Sequence, residues 1–184
     1  MKGCRLDPQM TSDSGMGAQE LRSRLLEFDR AVALMHPGRS FRLVFVGGGA
    51  LVLLGCLARA TDDLDALRFP PELLPLMEKY DLSARVLAFE DQFAYHIDDR
   101  LVRLDIPTKV VECFSASLED IVASKLYSDR TRDETDVRRP EVLERLDWNQ
   151  LDHVVSDMAD SMMIQRRHNQ FVRNYAKYRE EFHQ

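Results

Sequence analysis

The sequence predicts an α/β (α+β) fold in which helices pack against a mixed β-sheet. Near the start, apolar residues recur at alternating intervals of four and three, the spacing of one buried helix face: Leu21, Leu25, Phe28, Val32 and Met35. A β-rich apolar stretch at Phe41–Val46 then leads into three glycines, an apolar helical segment and a second β-rich stretch. Several strand-like stretches and a helical C-terminal part follow, an order typical of helices covering a mixed sheet.

Each predicted element rests on its periodicity and on the residues that begin or end it. Pro37 and Gly38 end the first helix, because both residue types interrupt helices. Ser117 opens a capping-box pattern, and Pro140 and Asp147 are suited to begin later helices. The expected helices cover residues 18–35, 50–58, 70–80, 117–126 and, with breaks, 140–182. The expected strands cover 41–46, 61–67, 84–89, 93–98, 101–106 and 110–114, with a hairpin turn at 98–100.

The length of 184 residues suits one domain with a full core and a modest helical appendage. Residues 1–17 are rich in Ser, Gly, Asp and Met without periodicity, which predicts a flexible tail. We expect one α/β domain over residues 18–136 and a C-terminal helical appendage, residues 137–184, packed on it.

Composition restricts the partners and the compartment. The formal net charge of -6 argues against a general affinity for nucleic acid or anionic membranes, because those surfaces attract an excess of Lys and Arg. Cys4, Cys56 and Cys113 lack any paired spacing and are predicted to be free thiols. The N-terminus has no apolar signal-peptide core, and the most apolar segment, 43–58, is too short to span a membrane. A cytoplasmic protein without a membrane partner is therefore expected.

Asp63 and Asp65 are the candidate metal ligands. In a strand, side chains two residues apart face the same way with Cα atoms roughly 6.6 Å apart, whereas Asp62 faces the other way. Mg²⁺ prefers oxygen ligands and usually completes its shell with water and substrate phosphate. Two carboxylates on one strand face therefore suit a divalent metal site.

Gly47, Gly48 and Gly49 supply a complementary feature. A strand-to-helix turn without Cβ atoms lets backbone N–H groups approach a phosphate, helped by the positive end of the following helix. Arg59 and Thr61 stand just before the carboxylates and are candidates for further phosphate contacts. Alone, the glycines are well explained by a tight turn and the Asp-x-Asp pattern by a solvated strand end. Their occurrence in the order strand, glycine turn, helix, strand favours a functional site.

These motifs resemble the signature of the nucleotidyltransferase superfamily, which includes DNA polymerase β. The residues that carry the resemblance are FVGGGALVLLG from Phe45 and ARATDDLD ending at Asp65, and they are most similar to the small bacterial AbiEii-like branch, which is associated with abortive-infection and toxin–antitoxin systems. A second similar stretch places Lys125 before Arg130, Arg132, Asp133 and Asp136. The resemblance covers roughly residues 41–136, and Gly48 stands where much of the superfamily has Ser.

The resemblance implies transfer of a nucleoside monophosphate from an NTP to a hydroxyl of RNA, protein or a small molecule. Asp63 and Asp65 would bind Mg²⁺ or Mn²⁺, and the three glycines would orient the NTP. Lys125 and Arg130 would balance triphosphate charge, although a solvated helix end with local salt bridges explains them nearly as well.

The superfamily carries a third metal carboxylate on a later strand, and Asp105 is the best match for it, with Asp98 and Asp99 as alternatives. By the resemblance, Asp105 would bridge a second metal and help to deprotonate the attacking hydroxyl. A cognate antitoxin or toxin protein and a second copy of the chain are further candidate partners.

Two functional hypotheses follow, an active nucleotidyltransferase and a catalytically inactive binding or antitoxin-like module with the same fold. The C-terminal helix raises a separate question, because aromatic residues recur at helical spacing from Ile164 to Phe182 among several arginines. Such a helix suits RNA binding, but we favour an aromatic stripe that packs on the domain or on a second subunit, with the arginines solvated.

Overall fold

The computed structural model describes residues 16–86, 92–128 and 130–183, and there the fold is a mixed sheet covered by helices. The strands are β1 (Phe41–Val46), β2 (Leu64–Arg68), β3 (Leu82–Ser83), β4 (Val102–Arg103) and β5 (Val111–Ser115). The helices are α1 (Ala18–Met35), α2 (Gly47–Leu53), α3 (Leu74–Lys79), α4 (Leu118–Tyr127), α5 (Thr131–Val137), α6 (Pro140–Leu143), α7 (Trp148–Ser161) and α8 (Gln165–Phe182). Short 3₁₀ helices cover Pro71–Leu73 and Ile97–Arg100.

The sheet has the order β3-β2-β1-β5-β4. β1 runs parallel to β5 and antiparallel to β2, while β3 is parallel to β2 and β4 is antiparallel to β5. The C-terminal ends of β1 and β5 therefore lie at the same end of the sheet as the N-terminal ends of β2, β3 and β4. The glycines follow β1 at this end, and the two candidate carboxylates lie where β2 begins.

Helix α4 is the helix around which the C-terminal part packs. Its residues from Leu118 to Leu126 are all buried, and it contacts α2, α5, α7 and α8. Polar groups in such a position need partners, because an unpaired buried polar group is strongly unfavourable. Glu119 accepts hydrogen bonds from the Asp147 backbone N–H and the Gln150 amide, and Asp120 accepts two from the Arg100 guanidinium.

The predicted fold class is confirmed, and so are several element boundaries. Helix α1 and strand β1 have the predicted bounds, and Pro140 begins α6. The Ser117 hydroxyl caps α4 by accepting the Asp120 N–H, and the Asp147 carboxylate caps α7. These features depend on local hydrogen bonding, which adjacent residues determine.

Several predicted elements start elsewhere. The second helix begins at Gly47 instead of residue 50, so the glycines form its first turn. Strand β2 begins at Leu64, so Asp63 precedes the strand. The strand predicted over 101–106 is reduced to the two residues of β4, while the one predicted over 84–89 falls partly on residues 87–91, which lie outside the described residues.

The predicted hairpin around residues 98–100 is wrong. Residues 93–98 form no strand, and Ile97–Arg100 is a 3₁₀ helix. Phe93, Ala94 and Ile97 are buried, and intervals of one and three residues belong to a helical turn, not to the alternation of a half-buried strand.

Part of the C-terminal aromatic stripe packs against neighbouring helices. Phe171 and Tyr178 are almost fully buried against α4 and α7, and the Tyr178 hydroxyl donates to the Val137 carbonyl. Burial raises the pKa of Tyr178.

Cys56 and Cys113 are buried free thiols. None of the described helices combines the length and apolar character needed to cross a bilayer.

Asp29 joins helix α1 to the sheet. Its buried carboxylate accepts hydrogen bonds from the backbone N–H groups of Lys109, Val110 and Val111, at the start of β5. The contacts span about 80 residues of sequence and satisfy N–H groups that would otherwise be buried without partners.

We expect Asp29→Ala to lower the free energy of unfolding by about 2–4 kcal/mol, because several N–H groups lose their acceptor. Urea denaturation monitored by circular dichroism measures the change. Glu27→Ala, an exposed change on the same helix, is the control and should stay within about 0.5 kcal/mol of wild type. Equal losses in the two variants would contradict the role given to Asp29.

Candidate active site

The glycine turn and Asp65 meet across the β1–β2 pair. Val46 is the register partner of Asp65, so Gly47 lies beside the carboxylate. Gly47 has φ +71°, and a Cβ placed there would lie 3.1 Å from Asp65 Oδ2. A side chain at this position would strain the backbone and press on the carboxylate.

The other two glycines are packed more closely. A Cβ on Gly49 would lie 2.8 Å from the Asp63 carbonyl oxygen and 2.8 Å from Leu64 Cδ1, while a Cβ on Gly48 would lie 3.1 Å from Arg59 Nη2. Lack of side chains therefore lets α2 approach the start of β2 directly. The structure brings together the three glycines, the two carboxylates and Arg59.

The two carboxylates differ in environment. Asp63 is exposed, just before β2, whereas Asp65 is partly buried within the strand. Burial, followed by the negative charge of Asp63, raises the pKa of the Asp65 carboxyl, while a hydrogen bond from Ser83 and the positive charges of Arg130 and Lys125 lower it. On balance the pKa of the Asp65 carboxyl is raised, so its neutral form is favoured relative to a solvated carboxyl.

Sequence reasoning missed Ser83. It lies opposite Asp65 in the parallel β2–β3 pair, and its hydroxyl contacts the carboxylate. The predicted third strand started at residue 84, one position too late to include it. A serine gives no signal by itself, because only the strand register places it beside Asp65.

Arg59 is part of a buried ion network. Its Nε and Nη2 donate to both Asp136 carboxylate oxygens, at 2.8 and 2.6 Å, and its Nη1 donates to the Ala60 carbonyl. Lys125 Nζ lies 2.5 Å from Asp133 Oδ1 and 3.0 Å from Asp136 Oδ2. Lys125, Asp133 and Asp136 are all almost fully buried.

The network keeps its carboxylates ionised. Burial is the largest single influence on Asp136 and would raise its pKa, but hydrogen bonds and charge from Arg59 and Lys125 together lower it. The pKa of Asp133 is lowered in the same way, with burial outweighed by Lys125, Ser128 and Arg130. The charges in the network are thus paired.

Because of this pairing, the residues predicted to contact phosphate have only some of their hydrogen-bond donors available for a ligand. Arg59 uses three of its five N–H donors, and Lys125 uses two of three. Arg130 pairs with Asp133 at 2.6 Å, but its side chain is 77% exposed, so it can turn toward a ligand. The Thr61 hydroxyl donates to the Asp63 carbonyl, and the Thr61 backbone pairs with Met16. Thr61 therefore shapes the loop that presents Asp63.

Asp105 lies away from the pair. The neighbouring Leu104 N–H donates to the Cys113 carbonyl, so the chain at Asp105 is running toward the start of β5, opposite to the glycine end. The Asp105 carbonyl accepts from Arg22 on α1. Three strand spacings, or ~14 Å, separate β4 from β2 across the sheet.

The alternatives to Asp105 do not join the pair either. Asp98 is 3.7 Å from Arg68, Asp99 is 3.7 Å from His96, and both carboxylates are largely exposed. Among the described residues, no group of three or more His, Cys, Asp or Glu side chains is placed to hold a metal ion.

Asp63 and Asp65 nevertheless fit one hard divalent cation. Mg²⁺ is commonly bound by one or two carboxylates, with water and substrate phosphate completing its shell. Burial, and after it the negative charge of Asp63, raise the pKa of Asp65, and a bound cation would favour the ionised carboxylate. Asp62 is exposed and pairs with Arg132 at 3.0 Å, so it serves as a neighbouring carboxylate outside the site.

We expect Asp136→Asn to lower the free energy of unfolding by about 3–5 kcal/mol at neutral pH, because Arg59 and Lys125 lose a buried counter-charge. Urea denaturation measures the loss. Arg39→Ala, which removes the exposed pair with Glu72, is the control and should change stability by less than about 1 kcal/mol.

The same variant carries a pH signature. Because the pKa of Asp136 is lowered in the folded protein, its contribution is present above the ordinary carboxyl pKa of about 3.9 and is lost as the pH falls through the folded value. The stability gap between wild type and Asp136→Asn should therefore narrow in acid. A gap that stays constant down to the acid transition would contradict the ion-network role.

We expect Gly49→Ala to destabilise the fold by about 1–3 kcal/mol, because its Cβ would meet the backbone at Asp63. Gly48→Ala should have a smaller effect, since the nearest atom is a side-chain nitrogen of Arg59 at 3.1 Å and not backbone at 2.8 Å. Thermal unfolding compares the two variants. A larger loss for Gly48→Ala would contradict the packing described for α2.

A family model described as "Nucleotidyltransferase of unknown function (DUF6036)" matches residues 23–183, which is most of the chain. Searches of curated proteins and of solved structures found no match. The AbiEii-like branch is not named by these findings and stays a prediction. The match spans the sheet, the glycine turn, both carboxylates and the C-terminal helices, and the chain belongs to this nucleotidyltransferase family.

Proposed function

We propose that the protein is a metal-dependent nucleotidyltransferase that moves a nucleoside monophosphate from an NTP to a hydroxyl acceptor. The observation that carries this proposal is the close approach of Asp65 to Gly47, with Asp63 two residues away. The glycine turn has no side chains to keep a phosphate away from its backbone, and it lies next to a carboxylate pair suited to a cation. A bound triphosphate would lie against the glycine turn, and a divalent ion would lie between that triphosphate and the carboxylate pair.

In this proposal, Asp63 and Asp65 hold one Mg²⁺ or Mn²⁺ ion. The bound ion would neutralise charge on the triphosphate and on the leaving pyrophosphate. Gly47, Gly48 and Gly49 let the triphosphate approach the backbone, and Arg59 offers its two remaining N–H donors beside them.

The transfer itself forms one bond and breaks another. The acceptor hydroxyl oxygen attacks the α-phosphorus, a new P–O bond forms, and the bond to the bridging α–β oxygen breaks. Pyrophosphate leaves with that electron pair, and the hydroxyl proton passes to water. Positioning and charge balance supply the catalysis, so the paired network around Lys125 acts by fixing Arg59 and the start of β2.

A second candidate is a catalytically inactive binding or antitoxin-like module. The position of Asp105 favours this inactive module. Asp105 is the residue predicted as the superfamily's third carboxylate, and it follows β4, which lies three strands away from β2. The toxin–antitoxin role, a cognate partner protein and a homodimer rest on the sequence resemblance alone.

The enzyme proposal is tested by incubating the protein with Mg²⁺, each α-³²P-labelled NTP and cell extract, which supplies the acceptors. The measurement is transfer of the label to an acceptor. We expect Asp63→Asn/Asp65→Asn and chelation by EDTA each to lower labelling by at least about 100-fold, because ion binding supplies several kcal/mol of charge stabilisation. Asp62→Asn is the control and should label within about twofold of wild type, because Asp62 lies outside the proposed site. It changes the net charge by the same amount as a single Asp63→Asn or Asp65→Asn substitution.

Labelling that is equal in wild type and the double variant would refute the enzyme proposal. Labelling by neither protein, with NTP binding retained by wild type in calorimetry, would support the inactive module.

A further inference from the structure

The side chain of Asp65 lies between two neighbouring strands. On one side, Val46 of β1 is its register partner, and a Cβ on Gly47 would lie 3.1 Å from Asp65 Oδ2. On the other side, Ser83 of β3 is its register partner in a parallel pair. Paired residues on neighbouring strands project from the same face of a sheet, so the Ser83 hydroxyl lies beside this carboxylate.

Alternation along β2 and β3 keeps this pair out of the core. Leu64 and Leu82 form the preceding register pair, and both are almost fully buried. Asp65 and Ser83 therefore project from the opposite face, where both are partly buried. A register shift of one residue would place a core leucine beside Asp65 and the serine hydroxyl in the core. The buried leucine pair thus fixes which side chain meets Asp65.

Hydrogen bonding gives the Ser83 hydroxyl a defined direction. Its oxygen accepts the backbone N–H of Arg85 at 3.3 Å, and its O–H donates to the Asp65 carboxylate. A hydroxyl has one hydrogen to donate, and an ionised carboxylate can only accept. The single donor of Ser83 is therefore committed to Asp65, and hydrogen bonds to an ionised group are among the stronger ones.

Strand β3 is held against the domain by helix α1. Asp81, two residues before Ser83, has a left-handed backbone with φ +54°, and its carboxylate pairs with Arg24 of α1 at 2.8 Å. Tyr80 packs edge-on against Phe28 of α1, with ring centroids 5.9 Å apart. Because β3 has only two residues and lies at the edge of the sheet, these contacts contribute to the position of Ser83.

The two candidate metal ligands are supported differently. Asp65 has a strand on either side, whereas Asp63 precedes β2 and is exposed. The Thr61 hydroxyl donates to the Asp63 carbonyl, so it supports the backbone there. A hydrogen bond to a ligating carboxylate fixes the direction of its oxygens, and losing such a bond commonly weakens metal binding by about 10–100-fold.

We propose that Ser83 is a positioning residue for the metal site, and that its hydroxyl holds the Asp65 carboxylate so that the remaining lone pairs are directed to a divalent ion. This inference rests on the proposed function, because it requires that Asp65 bind such an ion. Ser83 acts through Asp65 and does not contact the ion. In the alternative, the hydroxyl only joins β3 to β2, and its removal changes stability without changing ion affinity.

Titration with Mn²⁺ tests the role of Ser83 without nucleotide or acceptor. The electron paramagnetic resonance signal of free Mn²⁺ falls as the ion binds, so the titration gives a Kd for each variant. We expect Ser83→Ala to raise this Kd by about tenfold, because the carboxylate loses the group that directs it. Asp63→Asn/Asp65→Asn should abolish binding.

Ser83→Thr and Ser83→Val form a matched pair. Their side chains have nearly the same shape and both suit a strand, but only threonine keeps the hydroxyl. We expect Ser83→Thr to bind Mn²⁺ within about threefold of wild type and Ser83→Val to bind as weakly as Ser83→Ala. Ser40→Ala, an exposed change just before β1 at the opposite end from the glycine turn, should leave the Kd unchanged.

Urea denaturation of the same variants separates ion binding from stability. Equal Mn²⁺ affinities of wild type and Ser83→Val would overturn the proposal, and so would equal weakening by Ser83→Thr and Ser83→Val. A wild-type protein that binds no Mn²⁺ would also overturn it.

The dependence of labelling on Mg²⁺ gives a second readout. Ser83→Val should need about tenfold more Mg²⁺ for half-maximal labelling and should approach the wild-type rate at saturating Mg²⁺. A rate loss that Mg²⁺ does not restore would contradict a role through ion binding. Failure of the Ser83 proposal leaves labelling dependent on Asp63 and Asp65, whereas failure of the transferase leaves the Mn²⁺ titration unchanged. The two proposals are therefore tested separately.

Discussion

The carboxylate of Asp136 is the point at which segments far apart in the sequence meet. It binds Arg59, 77 residues earlier, and Lys125 on α4, while lying on α5. Asp136 and its two partners are mostly or fully buried, so each depends on the others for its charge to be tolerated. The loop that leads into β2, and with it the position of Asp63, is held by this contact. The site's geometry therefore depends on charges that do not themselves face the substrate.

The network also sets the charge balance around the site. Arg59, Lys125 and Arg130 face two carboxylates inside the network, so positive charge remains on the side toward Asp65. That charge is insufficient to offset burial and Asp63, and the pKa of Asp65 stays raised. The site thus combines residual positive charge with a carboxylate pair, as the proposed binding of phosphate and a cation would require. Both kinds of group are needed to hold a metal–nucleotide complex.

The glycines complete this arrangement by steric means. Gly47 leaves room for the Asp65 carboxylate, and Gly49 lets α2 lie directly on the backbone before β2. Helix α2 has only seven residues, so it lacks the dipole of a long helix. The close approach of the backbone is therefore its main contribution to the site. Arg130, which pairs with Asp133 in the ion network, also lines a neighbouring cavity of about 680 Å³.

The sequence by itself determined the fold class, helix α1, strand β1, the caps of α4 and α7, and the pairing of the glycines with Asp63 and Asp65. These features depend on periodicity, on local hydrogen bonds and on the order of adjacent elements, all of which lie within short stretches of chain. Only the tertiary structure decided that Ser83 lies beside Asp65 and that Lys125 forms ion pairs with two aspartates. It also decided that Asp105 follows a strand three positions away from β2 in the sheet. Those outcomes follow from strand register and from ion pairs between distant segments, where a shift of one residue changes which side chains meet.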